Sequence, residues 1–237
     1  TMILAMEFYM THLQSGRDDI MAYQADNQGI FDIAHLLYGE QLFYDLADPE
    51  AAPWLKELFQ RCHEFYAVST IQIKGILDEP LDGMIHGHGT PQGVYFPHTG
   101  TRCSEDTVTL ISPEMIDRIV LTEMDRLAKT FGGLFVHFCG QHPSLLEQVC
   151  RMNIVHALDL GNPEFYDTRK VMEICAATGT VLHSRVASLP GETWQNYIRR
   201  IAALTRETGA RLLLRPTLFP ESREEAAEMQ ALWHEYT

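Results

Sequence analysis

Long apolar runs are missing from this sequence. Its most apolar stretches, such as residues 133–138 and 181–182, fall far short of the roughly 20 residues that span a bilayer, which argues against a membrane span. No basic segment followed by an apolar stretch opens the chain, so nothing marks it for secretion. The cytoplasm is therefore the expected compartment. Cations are scarce: 18 Lys and Arg stand against 32 Asp and Glu, for a net charge of -14. With no basic stripe to offset it, that charge repels a phosphate backbone and argues against a nucleic-acid partner. Cysteines are few, odd in number at five, and widely spaced, which does not suit a disulfide framework in a chain of this size. Gly-x-Gly-x-x-Gly, Walker, Gly-x-Ser-x-Gly and His-Glu-x-x-His motifs are also absent, so nucleotide cofactors are not indicated.

What is present is a 237-residue chain, 46% hydrophobic, able to bury one sizeable core. A single domain over residues 1–237 is expected. Its second half alternates short apolar runs with amphipathic stretches, the pattern of βα units on a parallel sheet. Ser112-Pro113-Glu114 opens a helix: serine caps, proline fits the first turn and the acid suits the helix dipole. Met115, Ile119, Val120, Met124 and Leu127 then recur with helical spacing up to Gly132. A buried strand is predicted at 134–139, followed by a helix at 144–152, a strand at 155–160 and a helix at 168–177. A strand at 180–186, a helix at 192–208, a strand at 211–214 and a helix at 221–236 complete the pattern.

The first half gives a strand at 19–25, a helix at 30–38, a long helix or helix pair at 49–75 and a strand at 83–86. A further helix is expected at 2–13. The total of about six strands is two short of a closed eight-stranded barrel. An open doubly wound sheet is the alternative.

Several segments resemble one family. Residues 104–121 (SEDTVTLISPEMIDRIVL), His137-Phe138-Cys139-Gly140, residues 155–160 (VHALDL) and residues 28–34 (QGIFDIA) are similar, in order, to the uroporphyrinogen decarboxylase and methylcobalamin:coenzyme M methyltransferase superfamily. The resemblance implies a TIM (β/α)8 barrel lacking its first strands in this chain, hence an N-terminally incomplete domain. In the methyltransferase branch it implies zinc on His137 and Cys139, a thiol-type acceptor, and a corrinoid carried by a partner protein. The family's third ligand is a cysteine after the last strand, where this chain reads Leu214-Arg215-Pro216-Thr217. His86, His88, Cys103 and His183 are the candidates to replace it.

The residues support parts of this independently. His137 and Cys139 lie two apart on a predicted strand, so both side chains share a face at its C-terminal end. Imidazole and thiolate suit zinc, although two such residues also occur in packed cores. Cys62, Cys150 and Cys175 fall in apolar helical patterns and read as buried structural thiols. His86 and His88, in a glycine-rich loop expected at 85–98, are candidate catalytic residues acting as ligands or proton donors; the alternative is a flexible loop whose histidines are solvated, and His98 is expected in solvent. Arg185 and Arg215 end two predicted strands, where a guanidinium fork can hold an acidic substrate group. Asp159 is grouped with them as a candidate substrate-binding residue, and structural pairing of either arginine with Asp159 or Glu192 is the alternative.

Three functions follow as expectations. The first is zinc-dependent methyl transfer from a methylated corrinoid to a thiol. The second is tetrapyrrole decarboxylation by a carboxy-lyase that needs no metal. The third is a barrel homologue without chemistry that binds a small molecule or docks a corrinoid protein.

Overall fold

The structure is a computed structural model, and it describes residues 4, 7, 8, 10, 22–24, 26–88 and 93–236. Most of the helix expected at 2–13, and part of the strand expected at 19–25, lie outside the described residues. The chain folds as two compact units, 1–137 and 138–237. No helix among the described residues is long and apolar enough to cross a membrane.

In the first unit, α1 (Ile30–Tyr38), α2 (Gln41–Asp45) and the 26-residue α3 (Ala52–Leu77) precede an antiparallel hairpin of β1 (Gly83–His86) and β2 (Val94–Pro97). The helix α3 buries Leu55, Leu58, Phe59, Cys62, Tyr66 and Ile73, a stripe at helical spacing. Lys74, on the last turn of this helix, is also buried. Its ammonium donates to the carbonyls of Gly83 (2.8 Å) and Pro80 (3.1 Å) and to Glu79 (3.3 Å), which ties the helix end to the start of β1.

Next comes β3 (Thr101–Ser104), parallel to β4 (Leu134–Phe138). The connection between them runs through a 3-10 turn (Thr107–Leu110), α4 (Pro113–Met115), a π-helical turn (Ile116–Val120) and α5 (Leu121–Phe131). The Ser112 hydroxyl accepts from the Met115 amide at 3.3 Å, the cap expected from the sequence. Gly132, at φ 75°, ends α5 in the left-handed region that a side chain disfavours.

The second unit alternates α6 (Leu145–Cys150), β5 (Val155–Leu160), α7 (Thr168–Thr178), β6 (Val181–Arg185), α8 (Trp194–Thr208), β7 (Leu212–Arg215) and α9 (Arg223–Tyr236). Asp167 caps α7 by accepting from Lys170 (2.9 Å), and Thr193 caps α8 by accepting from Asn196 (3.4 Å). The five strands β3 to β7 form one parallel sheet in chain order. The fold is therefore α/β with a parallel sheet and connecting helices.

Two expectations change. The described part of the strand expected at 19–25, Ala22 to Gln24, is not in a strand, and the nearby pairing is an isolated parallel bridge from Gln28 to Ser104. Part of the glycine-rich stretch read as a loop after His86 is strand β2, so β1 pairs in a hairpin and outside the parallel sheet. Conversely, β3 is a strand that the sequence pattern did not reveal.

Candidate metal centre

The register of β3 on β4 sets Arg102 beside Phe135 and Ser104 beside His137. Side chains alternate along a strand, so Arg102 and Ser104 share one face. Both reach Asp26: Arg102 Nε lies 3.1 Å from its carboxylate, and the Ser104 hydroxyl donates to it at 2.8 Å. Phe135 stacks on His86 with ring centroids 4.3 Å apart, and the Arg102 guanidinium lies 5.8 Å from the same phenyl centroid.

The opposite face carries Cys103 and Glu105, directed at α1. The fully buried Glu105 carboxylate accepts from the amides of Phe31 (3.3 Å) and Asp32 (3.1 Å), so it caps the helix start. Gly29 permits this approach, because a Cβ there would stand 2.1 Å from the Glu105 carboxyl carbon. Asp32 reciprocates by accepting from the amides of Asp106 (2.8 Å) and Thr107 (3.0 Å) and from the Thr107 hydroxyl, capping the 3-10 turn. Burial first, and then the neighbouring Asp32, push the Glu105 carboxyl well above the usual carboxylate range. Burial likewise raises Asp32 and, together with Glu105, the Cys103 thiol. Cys103 is thus held protonated, its thiol 3.7 Å from Glu105, which does not suit a metal ligand.

This carboxylate exchange fixes the backbone at Asp106, and Glu105 adds a hydrogen bond from its amide to the His137 carbonyl at 2.9 Å. The consequence is that Asp106 Oδ1 lies 3.7 Å from His137 Nε2. One residue further than Phe138, Cys139 brings its sulfur into the same group, and single donor atoms of Asp106, His137 and Cys139 all lie within 4.8 Å of one another. Two ligands on a tetrahedral ion with bonds of about 2.0–2.3 Å stand about 3.3–3.8 Å apart. Oxygen and nitrogen ligands, with bonds of about 2.0–2.2 Å, fall at the short end of that range; the Asp106–His137 spacing of 3.7 Å is wider than that end and is long for a hydrogen bond. One oxygen, one nitrogen and one sulfur donor, with a fourth position unassigned, fit zinc of the catalytic type.

The turn that follows is firmly held. Gly140 adopts φ 82°; its amide donates to Asn162 at 2.9 Å and its carbonyl accepts from the Tyr166 hydroxyl at 3.2 Å. Gly161 lies against Cys139, and a Cβ there would meet the sulfur at 2.3 Å.

The other predicted residues are distributed differently. His86 is buried at the end of β1 against Phe135 and Phe96, and His88 is exposed two residues beyond. His183 is buried on β6. Arg185 and Arg215 face each other in the β6–β7 register. Arg215 forms an ion pair with the buried Asp159, the structural alternative foreseen for it, whereas exposed Arg185 donates to the Gly161 carbonyl. Glu192 pairs with Arg200 at 2.7 Å. Asp106, which the sequence pattern does not single out, is the third member of this group. Its signal was the acidic pair 105–106 at the end of a segment that was not recognised as a strand.

No protein-family model matches the sequence, and no curated protein matches it. Among solved structures, a methyltransferase from Methanosarcina mazei shares the fold with a TM-score of 0.60 at 13% sequence identity, over 98% of this chain and 64% of that one. At this identity the likeness concerns the fold. The chain therefore spans less than two thirds of that neighbour's length.

Proposed function

We propose that the chain belongs to a zinc-dependent methyltransferase with a TIM-type barrel, moving a methyl group from a corrinoid carried on a partner protein to a small thiol. The observation that carries this reading is the convergence of Asp106, His137 and Cys139 within 4.8 Å at adjacent strand ends. The fold shared with the methyltransferase from Methanosarcina mazei is compatible with this reading.

Asp106, His137 and Cys139 would hold the ion, which when bound favours the thiolate form of a thiol substrate and so prepares it for methylation. The chain's own contribution is to orient those donors. The exchange between Glu105 and Asp32 aims Asp106, the sheet register aims His137, and the Gly140 turn with Asn162 and Tyr166 aims Cys139. Exposed Arg185 is the group suited to an acidic substituent on the thiol, since its bond to the Gly161 carbonyl leaves donors of its fork available. His88, exposed past β1, is suited to proton transfer.

Zinc content by mass spectrometry after dialysis tests the centre. About one zinc per chain is expected, lost in Cys139→Ser, His137→Ala and Asp106→Asn with the circular dichroism spectrum retained. Loss of methylcobalamin absorbance in the presence of simple thiols tests the transfer. A folded wild-type chain that takes up no zinc would refute the reading.

A further inference from the structure

Two of the five cysteines meet inside the second unit. Cys150 is the last residue of α6, and Cys175 lies on the inward stripe of α7 with Val171 and Met172. Both are buried, at 1% and 0% exposure, and their thiols are hydrogen-bonded to each other. Thr180 holds the contact from both sides. Its hydroxyl adjoins Cys150 and donates to the Val155 carbonyl at 3.2 Å, and its amide donates to the Cys175 carbonyl at 3.0 Å.

Packing alone accounts for a single buried cysteine. A contact between two thiols on different helices goes further, because burial does not call for a sulfur partner. Sulfurs in hydrogen-bond contact need to close by only about 2 Å to reach the disulfide bond length of about 2.0 Å. Cys150 ends its helix, and Cys175 lies in the last turn of α7 before Gly179 at φ 74°. Both therefore sit where a helix end can take up a small shift.

We propose that Cys150 and Cys175 form a redox-switchable cross-link between α6 and α7, closed by a low-molecular-weight disulfide and reopened by a thiol. In the closing step one cysteine thiolate attacks the small disulfide and displaces one half of it; the other cysteine thiolate then attacks the mixed disulfide and displaces the second half. The S–S bond of the oxidant breaks, the bond between Cys150 and Cys175 forms, and the two protons end on the two small thiols released. The hydrogen bond to Cys175, and then burial, raise the Cys150 thiol above its ordinary pKa. Closure is therefore slow in the folded state and proceeds through local opening of the six-residue α6. The closed loop, residues 150–175, contains β5 and the Gly161 that lies against Cys139. The cross-link needs no metal and is independent of the zinc reading.

Cystamine, whose positive charge suits a chain of net charge -14, serves as the oxidant. The reduced full chain is incubated with it in buffer and in subdenaturing urea, which speeds local opening, then alkylated and mapped by mass spectrometry. A peptide pair joined through Cys150 and Cys175 is expected as the main protein disulfide. Closing this loop should raise the thermal midpoint by about 5–10 °C over the reduced chain, and dithiothreitol should reverse the rise. Cys175→Ala, compared with its own reduced form, should lose both the joined pair and the rise. Recovery of Cys150 and Cys175 as separate alkylated or cystamine-capped residues under both conditions, a joined pair that leaves the midpoint unchanged or lower, or an equal rise in Cys175→Ala overturns the proposal.

Discussion

Removing the buried Glu105 carboxylate tests the scaffold behind the candidate centre. In Glu105→Ala, the amides of Phe31 and Asp32 lose their acceptor inside the protein. Each stranded buried donor costs about 1–3 kcal/mol, so a loss of about 2–6 kcal/mol is expected before any cavity is counted. Glu105→Gln isolates the charge. Its amide oxygen keeps one of the two acceptors, which limits the cost near pH 5 to about 1–3 kcal/mol. The pH dependence carries the sign. An unfolded glutamate titrates near 4.3, and the folded carboxyl is raised well above its ordinary value. The folded state therefore holds the proton more tightly. Its contribution to stability is fully present below the unfolded pKa and is lost as pH rises through the folded one, with a slope of at most about 1.4 kcal/mol per pH unit for one proton. Urea unfolding of wild type and Glu105→Gln from pH 5 to 8.5 reads this directly. The wild-type advantage should shrink with rising pH, because the variant lacks the titration while sharing the others. A stability difference that is flat with pH, or that grows, would refute a Glu105 carboxyl raised above its ordinary range.

Further expectations follow from single contacts. Arg215→Met removes the arginine partner of the buried Asp159 carboxylate and should cost up to about 3–5 kcal/mol in urea unfolding, with Arg215→Met, Asp159→Leu recovering most of the loss. Gly161→Ala places a methyl carbon against the Cys139 sulfur, so it should release zinc to a chelator at least tenfold more readily than wild type does, with helix content unchanged. Lys74→Met removes the donor to the Gly83 and Pro80 carbonyls and to Glu79. It should lower stability by about 3–5 kcal/mol, and hydrogen exchange should report the loosening first in β1.

The βα pattern of the second half was legible because its punctuation is local. Ser112, Asp167 and Thr193 cap helices, Gly132, Gly179 and Gly209 end them, and β5 has the expected bounds. The strand β3 was not legible, since Thr-Arg-Cys-Ser has no apolar alternation. Its burial comes from long-range partners, with Arg102 near Asp26 and Tyr66 donating to the Arg102 carbonyl. Missing β3 hid its register with β4, and with it the placement of Asp106 beside His137. The hairpin was missed for a related reason: the glycines after His86 read as loop, while the pairing of Val94–Pro97 with β1 is set by tertiary contact. That His137 and Cys139 lie close together was legible because a two-residue spacing survives any error in strand order.

Strand register has a further meaning for this molecule. Sliding β4 by one residue would turn His137 toward α1 and bring Val136 or Phe138 to the position beside Ser104. Were the proposed cation to bind Asp106 and His137, it would stabilise only the observed alignment and so favour it over slipped pairings.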